Sequence, residues 1–151
     1  MAIQYLSIEH VVGIHDVLIQ EFGGSFGLRD PGLLESSVLQ AQQSFGGEDL
    51  YPSLFDKAAT YAFSISENQP FLDGNKRTAA SAAAIFLEIN GYEVDCPQGQ
   101  IYETMMQLAN KQLTRAQLSD WFKKNSLSKV RRAKKVQKVR GKTVRKKIAK
   151  K

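Results

Sequence analysis

One run of helix-forming, mostly apolar residues constrains the fold of this chain more than any other feature. It extends from Ala79 to Ile89 and consists of alanine, isoleucine, phenylalanine and leucine with a single serine and a single glutamate. Alanine and leucine are strong helix formers, and here the apolar residues lie around much of the helix circumference. Such a helix is buried on several sides, so the sequence predicts an all-α bundle of about six helices around a central helix from Asn75 to about Asn90.

The central helix directly follows a polar loop with the sequence Gln-Pro-Phe-Leu-Asp-Gly-Asn-Lys-Arg-Thr, residues 69–78. Asp-Gly-Asn favours a turn, so the loop ends where the helix exposes unpaired N–H groups and about half a positive charge. Gly74 and Asn75 would present this helix start to a phosphate, and Lys76 and Arg77 would add full positive charges. The junction therefore predicts a phosphate-binding site.

Asp73 stands just before this junction and offers a hard oxygen ligand. A magnesium ion that bridges two phosphates takes one or two carboxylates and completes its coordination with phosphate oxygens and water. We therefore expect Asp73 to hold Mg²⁺ and the loop to bind a nucleotide.

A known family signature resembles residues 71–78, Phe71-Leu72-Asp73-Gly74-Asn75-Lys76-Arg77-Thr78; it is the signature of the Fic/Doc (Fido) family. The Lys after the Asn resembles the pattern of the Doc, or death-on-curing, branch of this family. Other Fic proteins usually have Gly after that Asn and a second Arg three positions after the first, where this chain has Lys76 and Ala80. The resemblance covers roughly residues 3–125 and implies a Fic-type helical bundle with a short flap.

In this branch, the resemblance implies a toxin of a toxin–antitoxin pair. Such a protein transfers a phosphoryl group from a nucleoside triphosphate, here expected to be ATP, to a hydroxyl of a translation protein such as elongation factor Tu. AMP-transferring relatives hold the nucleotide in the opposite orientation, so nucleotidyl transfer stays open. The resemblance also implies a small antitoxin whose disordered end inserts as a helix beside the cleft.

Gln69 departs from the family pattern, because the family has its catalytic His two residues before the Phe. Imidazole accepts a proton near neutral pH, whereas an amide does not. In the family this His is thought to deprotonate the target hydroxyl, and losing a general base costs about 10²–10⁴ in rate. We expect nucleotide binding to survive and transfer by this form to be impaired.

Three explanations of Gln69 stay open: an engineered substitution, a naturally inactive relative, or an enzyme that recruits another base. His10 and His15 are the two histidines of the chain, and both fall in the first predicted helix. Neither has the spacing to replace the missing base. The resemblance places His15 in a His-Asp pair that supports the fold or lines the cleft.

The net charge of +6 conceals two regions of opposite sign. From Lys129 to Lys151 the chain has 13 Lys or Arg and no acidic residue, which leaves 8 basic against 15 acidic residues before it. We therefore divide the chain into an acidic domain, 1–125, and a basic tail, 126–151, whose like charges and sparse apolar residues predict disorder. The tail could contact nucleic acid or an acidic surface by counterion release.

The remaining composition bounds where the protein works. Cys96 is the single cysteine, so no intramolecular disulfide forms, and no apolar run approaches the roughly 20 residues that span a bilayer. We expect a cytoplasmic protein that does not enter membranes.

Capping signals and apolar spacing predict the other elements. Helices are expected to begin after Ser7, Asp30, Ser53 and Thr114, and the helix after Asp30 is expected to end near Gln43. Another helix is expected from Gln100 to Lys111. Between Ser44 and Pro52 the glycines and the proline indicate either an ordinary surface loop or, following the family, a flap that holds the target by strand-like pairing. No strand run is long enough to predict a sheet.

The sequence supports three functional hypotheses. The first is a Doc-like transferase scaffold without its general base, so whether this form is an active enzyme stays uncertain. The second is a nucleotide-binding or protein-interaction module without catalysis. The third is a nucleic-acid-binding protein that works through the tail.

Overall fold

The structure is a computed structural model that describes residues 2–149, with the backbone alone for residues 132, 135 and 142–149. Helices account for most of it, as predicted. In chain order the elements are α1 (Ile8–Phe22), α2 (Pro31–Leu39), a 3₁₀ turn (Gln40–Gln42), β1 (Ser44–Phe45), β2 (Glu48–Asp49), α3 (Leu54–Asn68), α4 (Asn75–Ile89), β3 (Tyr92–Val94), α5 (Gln100–Ala109), α6 (Arg115–Lys124), β4 (Ser126–Ser128) and α7 (Lys129–Ala149).

Helix α4 lies at the centre of the bundle and packs against α1, α3, α5 and β3. Its buried side chains occupy most of its circumference, which confirms the prediction of a central buried helix. Several of them are alanines, and α3 contributes the buried alanines Ala58, Ala59 and Ala62. Because a methyl group lets two backbones approach closely, α3 and α4 form a tightly packed pair that delivers the intervening loop to one end of the bundle.

The predicted helix starts are confirmed by their cap geometry. The side chains of Ser7, Ser53 and Thr114 each accept a hydrogen bond from the backbone N–H three residues later, and Asp30 does the same before Pro31. Such caps satisfy backbone donors that the helix leaves unpaired. Local sequence therefore sets where these four helices begin.

Asp56 links α3 to α6 as well as completing the cap at Ser53. Its carboxylate accepts hydrogen bonds from Ser119 Oγ at 2.6 Å and from the Ser53 N–H at 3.3 Å. Burial alone raises the pKa of Asp56, but the hydrogen bonds from Ser119 and Ser53 outweigh it, and the pKa lies below its ordinary value of 3.8. The charged form is therefore the one that stabilises the fold.

We expect Asp56→Asn to lower the free energy of unfolding by about 1 kcal/mol at neutral pH. Because the folded-state pKa is depressed, this stabilisation is present above pH 3.8 and is lost as the pH falls through the lower folded-state value. Denaturant unfolding at neutral pH and below pH 3.8 would measure the difference. Asp120→Asn, at an exposed position of α6, is the control and should change little; an Asp56→Asn deficit that does not shrink in acid would contradict the assignment.

Two short antiparallel ribbons accompany the helices, although the sequence predicted no sheet. Strand β1 pairs with β2, and β3 pairs with β4 with Glu93 opposite Leu127. The bundle has seven α-helices among residues 2–149, one more than about six, because α7 forms where the sequence predicted disorder. The backbone groups of Ser126–Ser128 pair with β3. The division at residue 125 stays a prediction.

The reason for the difference at α7 is that its Lys, Arg, Gln and Ala residues all have favourable helix propensity, which the repulsion between like charges opposes. Among the described residues, no helix is both long enough and apolar enough to cross a bilayer.

Candidate functional site

The loop between α3 and α4 is held in place by backbone hydrogen bonds to the segment that joins α1 to α2. The N–H groups of Arg29 and Asp30 both donate to the Pro70 carbonyl, at 2.8 and 3.1 Å, and Leu72 N–H donates to the Gly27 carbonyl at 3.1 Å. Leu28 and Phe71 form an antiparallel bridge at the same place. The two connections therefore form one ordered unit.

Gln69 ends α3 in a left-handed conformation, with φ 46° and ψ 59°, and its side chain is exposed. This conformation costs a residue other than glycine roughly 1 kcal/mol or more, so surrounding contacts must maintain it. Arg29 supplies them by donating from Nε to the Gln69 carbonyl at 2.7 Å and from its terminal nitrogen to the Asn68 carbonyl at 2.6 Å. Arg29 thus caps α3 and fixes the direction in which residue 69 leaves the helix.

His15 of α1 also contacts this loop. Its ring is buried, stacks on Phe71 with 3.8 Å between centroids, and its Nε2 donates to the Asp73 carbonyl at 2.8 Å. The Asn75 side chain closes the loop internally, since it accepts from Phe71 N–H and donates to the Phe71 carbonyl, both at 3.0 Å. His15 has a supporting role in this structure, and the amide of Asn75 is occupied within the loop.

The Asp73 carboxylate lies against the glycine-rich connection after α1. Its Oδ2 accepts from Ser25 N–H at 3.2 Å and its Oδ1 accepts from Gly74 N–H at 2.9 Å. A Cβ added to Gly24 would lie 2.6 Å from Oδ2, so that glycine is required for the carboxylate to occupy its position. This role of Gly24 has no signal in the sequence, because it depends on two segments nearly 50 residues apart.

Gly74 is the N-cap of helix α4, and its φ of 76° suits glycine. The start of the helix has no side-chain cap among the described residues. The two cations of the first turn, Lys76 and Arg77, are exposed. The Arg77 guanidinium lies 4.2 Å from the centroid of the Phe22 ring and 5.4 Å from that of Tyr102. Cation–π contacts of this kind restrict its orientation.

The loop between α3 and α4 and the first turn of α4 line a cleft of about 530 Å³, a volume within the range of small-molecule sites. All six predicted site residues line it. The complete lining is Ser66, Glu67, Gln69, Leu72, Asp73, Gly74, Asn75, Lys76, Arg77, Tyr102, Ala109 and Lys111.

The wall of the cleft opposite the loop was not predicted from the sequence. It consists of Tyr102, Ala109 and Lys111, and the Lys111 ammonium pairs with the Glu67 carboxylate at 2.6 Å. Nothing in the spacing of these residues indicated that α5 would face the loop.

Asp73 fits the requirement of a magnesium ion, because it lines the cleft and each of its carboxylate oxygens accepts only one backbone hydrogen bond, which leaves lone pairs for a metal. Within the described part of the chain, no three His, Cys, Asp or Glu side chains are grouped closely enough to hold a metal. A magnesium ion at Asp73 would therefore take its other ligands from phosphate and water.

A smaller groove of about 290 Å³ adjoins the cleft and shares Glu67 with it. Tyr51 and Gln40, at the base of the β1–β2 hairpin, line this groove and are joined by a 3.1 Å hydrogen bond. The segments that flank the β1–β2 hairpin, for which the sequence leaves a surface loop or a flap open, therefore line a groove that adjoins the cleft.

The structure is thus a helical bundle with a cleft at the N-terminus of its central helix, α4. The model of the Fic/DOC family matches residues 5–87, and this chain belongs to that family. It is 43% identical over 91 residues to "Toxin Doc" of Mycolicibacterium smegmatis, an alignment covering 60% of this chain and 68% of the relative. It is 35% identical over 96 residues to "Protein kinase doc" of Escherichia phage P1, covering 63% of this chain and 75% of the relative.

Proposed function

We propose that this chain is a Doc-like toxin of a toxin–antitoxin pair whose cleft binds a nucleoside triphosphate, with ATP expected, together with Mg²⁺. The observation that carries the proposal is the convergence of Asp73, Lys76 and Arg77 on one cleft at the uncapped start of α4. The names of the two relatives support the same function.

In the proposed reaction a hydroxyl oxygen of a translation protein, such as elongation factor Tu, bonds to the terminal phosphorus of the nucleotide. The bond from that phosphorus to the bridging oxygen breaks, the nucleoside diphosphate leaves, and the hydroxyl proton must pass to a base. Bound Mg²⁺ would neutralise phosphate charge. The start of α4, with Lys76 and Arg77, stabilises the negative charge that develops on the phosphoryl oxygens.

Gln69 lies where the hydroxyl proton must be accepted, if the nucleotide phosphates lie at the start of α4. An amide has no basic site for that proton near neutral pH, so the form with Gln69 binds nucleotide and transfers slowly. The β1–β2 hairpin would hold the target segment, since its edges are exposed and its base borders the groove that meets the cleft.

We expect Lys76→Ala and Arg77→Ala each to weaken ATP binding by about 10- to 100-fold, because each removes a charged hydrogen-bond donor from the phosphates. Arg77→Lys should weaken it less, since the charge remains while the planar stacking on Phe22 is lost. Isothermal titration calorimetry with ATP, in the presence and absence of Mg²⁺, measures the dissociation constants. Lys123→Ala, an exposed cation in the last turn of α6, is the control. Unchanged affinity in both cleft variants would exclude the proposed phosphate site.

The position of the carboxylate can be tested with two glycines that differ in one respect. Gly23 and Gly24 both have positive φ, but a Cβ at Gly23 meets nothing within 4 Å, whereas one at Gly24 would clash with Asp73 Oδ2. Both alanine substitutions should lower stability by roughly 1 kcal/mol or more. Only Gly24→Ala should also reduce the magnesium dependence of ATP binding, by an amount approaching that of Asp73→Ala. Equal binding by the two glycine variants would contradict a metal at Asp73.

A second candidate function is a nucleotide-binding or protein-interaction module without catalysis. Gln69 favours it, because the cleft retains its charged groups but lacks a general base at that position. Under either function, we propose that a small antitoxin binds beside the cleft, because the curated relatives carry the name Doc and one of them the name toxin.

A further inference from the structure

Helix α7 is the strongest concentration of charge in the chain, and it lies outside residues 5–87 that match the family. Of its 21 residues, 11 are Lys or Arg and none is acidic. The chain before Lys129 has an excess of acidic residues. The helix therefore has a charge character opposite to that of the domain that carries it.

Helix α7 joins the domain directly after β4. Its first backbone N–H, from Lys129, donates to the Gly91 carbonyl at 2.9 Å, directly after β4 pairs with β3. Farther along the helix, Val136 and Arg140 of α7 and Glu93 of β3 line one groove of about 420 Å³. A helix of 21 residues is about 30 Å long.

The described cations of α7 are directed to solvent. Arg131, Lys134, Lys138 and Arg140 are exposed. Lys134 and Lys138 are four residues apart and hence neighbours on one face, where like charges destabilise a helix. A polyanion along the helix would remove this repulsion.

We propose that α7 is a nucleic-acid-binding element that recognises the phosphodiester backbone of a duplex. The 11 cations are spread along a helix of about 30 Å, a charge density sufficient to neutralise several phosphates of a duplex. Helix α7 has no aromatic residue for base stacking, so backbone contact is the mode that its composition supports. A membrane surface fits less well, because membrane-surface helices place Trp, Phe or Leu on the apolar face and α7 has Val, Ile and Ala.

The test uses the full chain and three probes: a short RNA duplex, a DNA duplex of the same sequence, and phosphatidylcholine vesicles containing phosphatidylserine. We expect duplex binding by fluorescence anisotropy, with affinity falling about 10³-fold between about 50 and 200 mM salt if about six phosphates are contacted. Preference for RNA or DNA identifies the duplex, and either supports the proposal. Tighter binding to vesicles than to both duplexes at the same salt would overturn it, as would salt-insensitive binding.

A pair of matched variants assigns the effect to α7. Lys134→Gln combined with Lys138→Gln should reduce the slope of log affinity against log salt by about 2 and weaken duplex binding at least about tenfold. Lys123→Gln combined with Lys124→Gln removes the same charge from exposed positions of α6 and should leave the slope unchanged. Equal weakening by both pairs would mean that binding follows net charge alone, and the proposal fails. Neither pair touches the cleft, so the result is independent of the proposed transferase function.

Discussion

If the proposed function is right, Gln69→His should raise the rate of phosphoryl transfer by about 10²–10⁴-fold, because the proposed reaction requires a base at this position to accept the proton of the target hydroxyl. The left-handed backbone at residue 69 accommodates the change, since histidine is enriched in this conformation among residues other than glycine. The measurement is transfer of label from ATP to elongation factor Tu. Label in the γ position reports phosphoryl transfer, and label in the α position reports nucleotidyl transfer.

The pH dependence of this gain provides a second readout. A histidine base must be neutral, so the rate of the Gln69→His protein should fall about tenfold per pH unit below its pKa, ordinarily about 6.5. Gln69→Asn keeps an amide in the same backbone conformation and should stay as slow as the Gln69 form. If the Gln69 form and Gln69→His transfer label equally fast, another group is the base. If neither transfers any, the binding module becomes the better account.

Lys57→Met should lower the free energy of unfolding by about 2–3 kcal/mol, the largest effect we expect from a residue outside the cleft. Lys57 is fully buried, and its ammonium donates to Asp49 Oδ2 at 3.1 Å and to the Tyr51 carbonyl. Methionine retains the volume but leaves both acceptors without their charged donor. The cost stays below that of a fully buried pair because the Asp49 side chain is 47% exposed and can be hydrated.

The matched control is Lys111→Met, which removes the same group from an exposed pair. The Lys111 and Glu67 side chains are 68% and 46% exposed, so this change should cost less than about 1 kcal/mol. Denaturant unfolding measures both variants. Because Asp49 and Tyr51 form the base of the β1–β2 hairpin, Lys57→Met should also increase amide hydrogen exchange across Glu48–Asp49. An equal loss of unfolding free energy in the two lysine variants would show that the buried contacts of Lys57 with Asp49 and Tyr51 do not stabilise the fold more than an exposed ion pair does.

Much of the fold could be predicted because the information is local. Ser7, Asp30, Ser53 and Thr114 cap the helices they precede, since a cap requires a side chain and a backbone N–H only three residues apart. The end of α2 was predicted near Gln43, but a 3₁₀ turn replaces its last residues. Helix ends depend on weaker local signals, so such differences of a few residues are expected.

The start of the basic tail could not be predicted from local sequence. Ser126–Ser128 were assigned to the basic segment because the composition changes after Asn125, but these residues pair with Tyr92–Val94, more than 30 residues earlier. Pairing between distant strands leaves no signal in a segment of three residues. The helix that follows it was predicted as disordered because charge repulsion was weighted above propensity.

The order of residues in one short segment determined the chemical character of the cleft: the carboxylate, the cations and the glycine that precede or begin α4 are adjacent in the chain, so their proximity did not depend on folding. Only the tertiary structure decided how that segment is held and what faces it. Arg29, His15 and Gly24 maintain the loop, and Tyr102 and Lys111 form the opposite wall. These contacts join residues tens of positions apart, and they arise because burying α4 brings α1, α3 and α5 around its start.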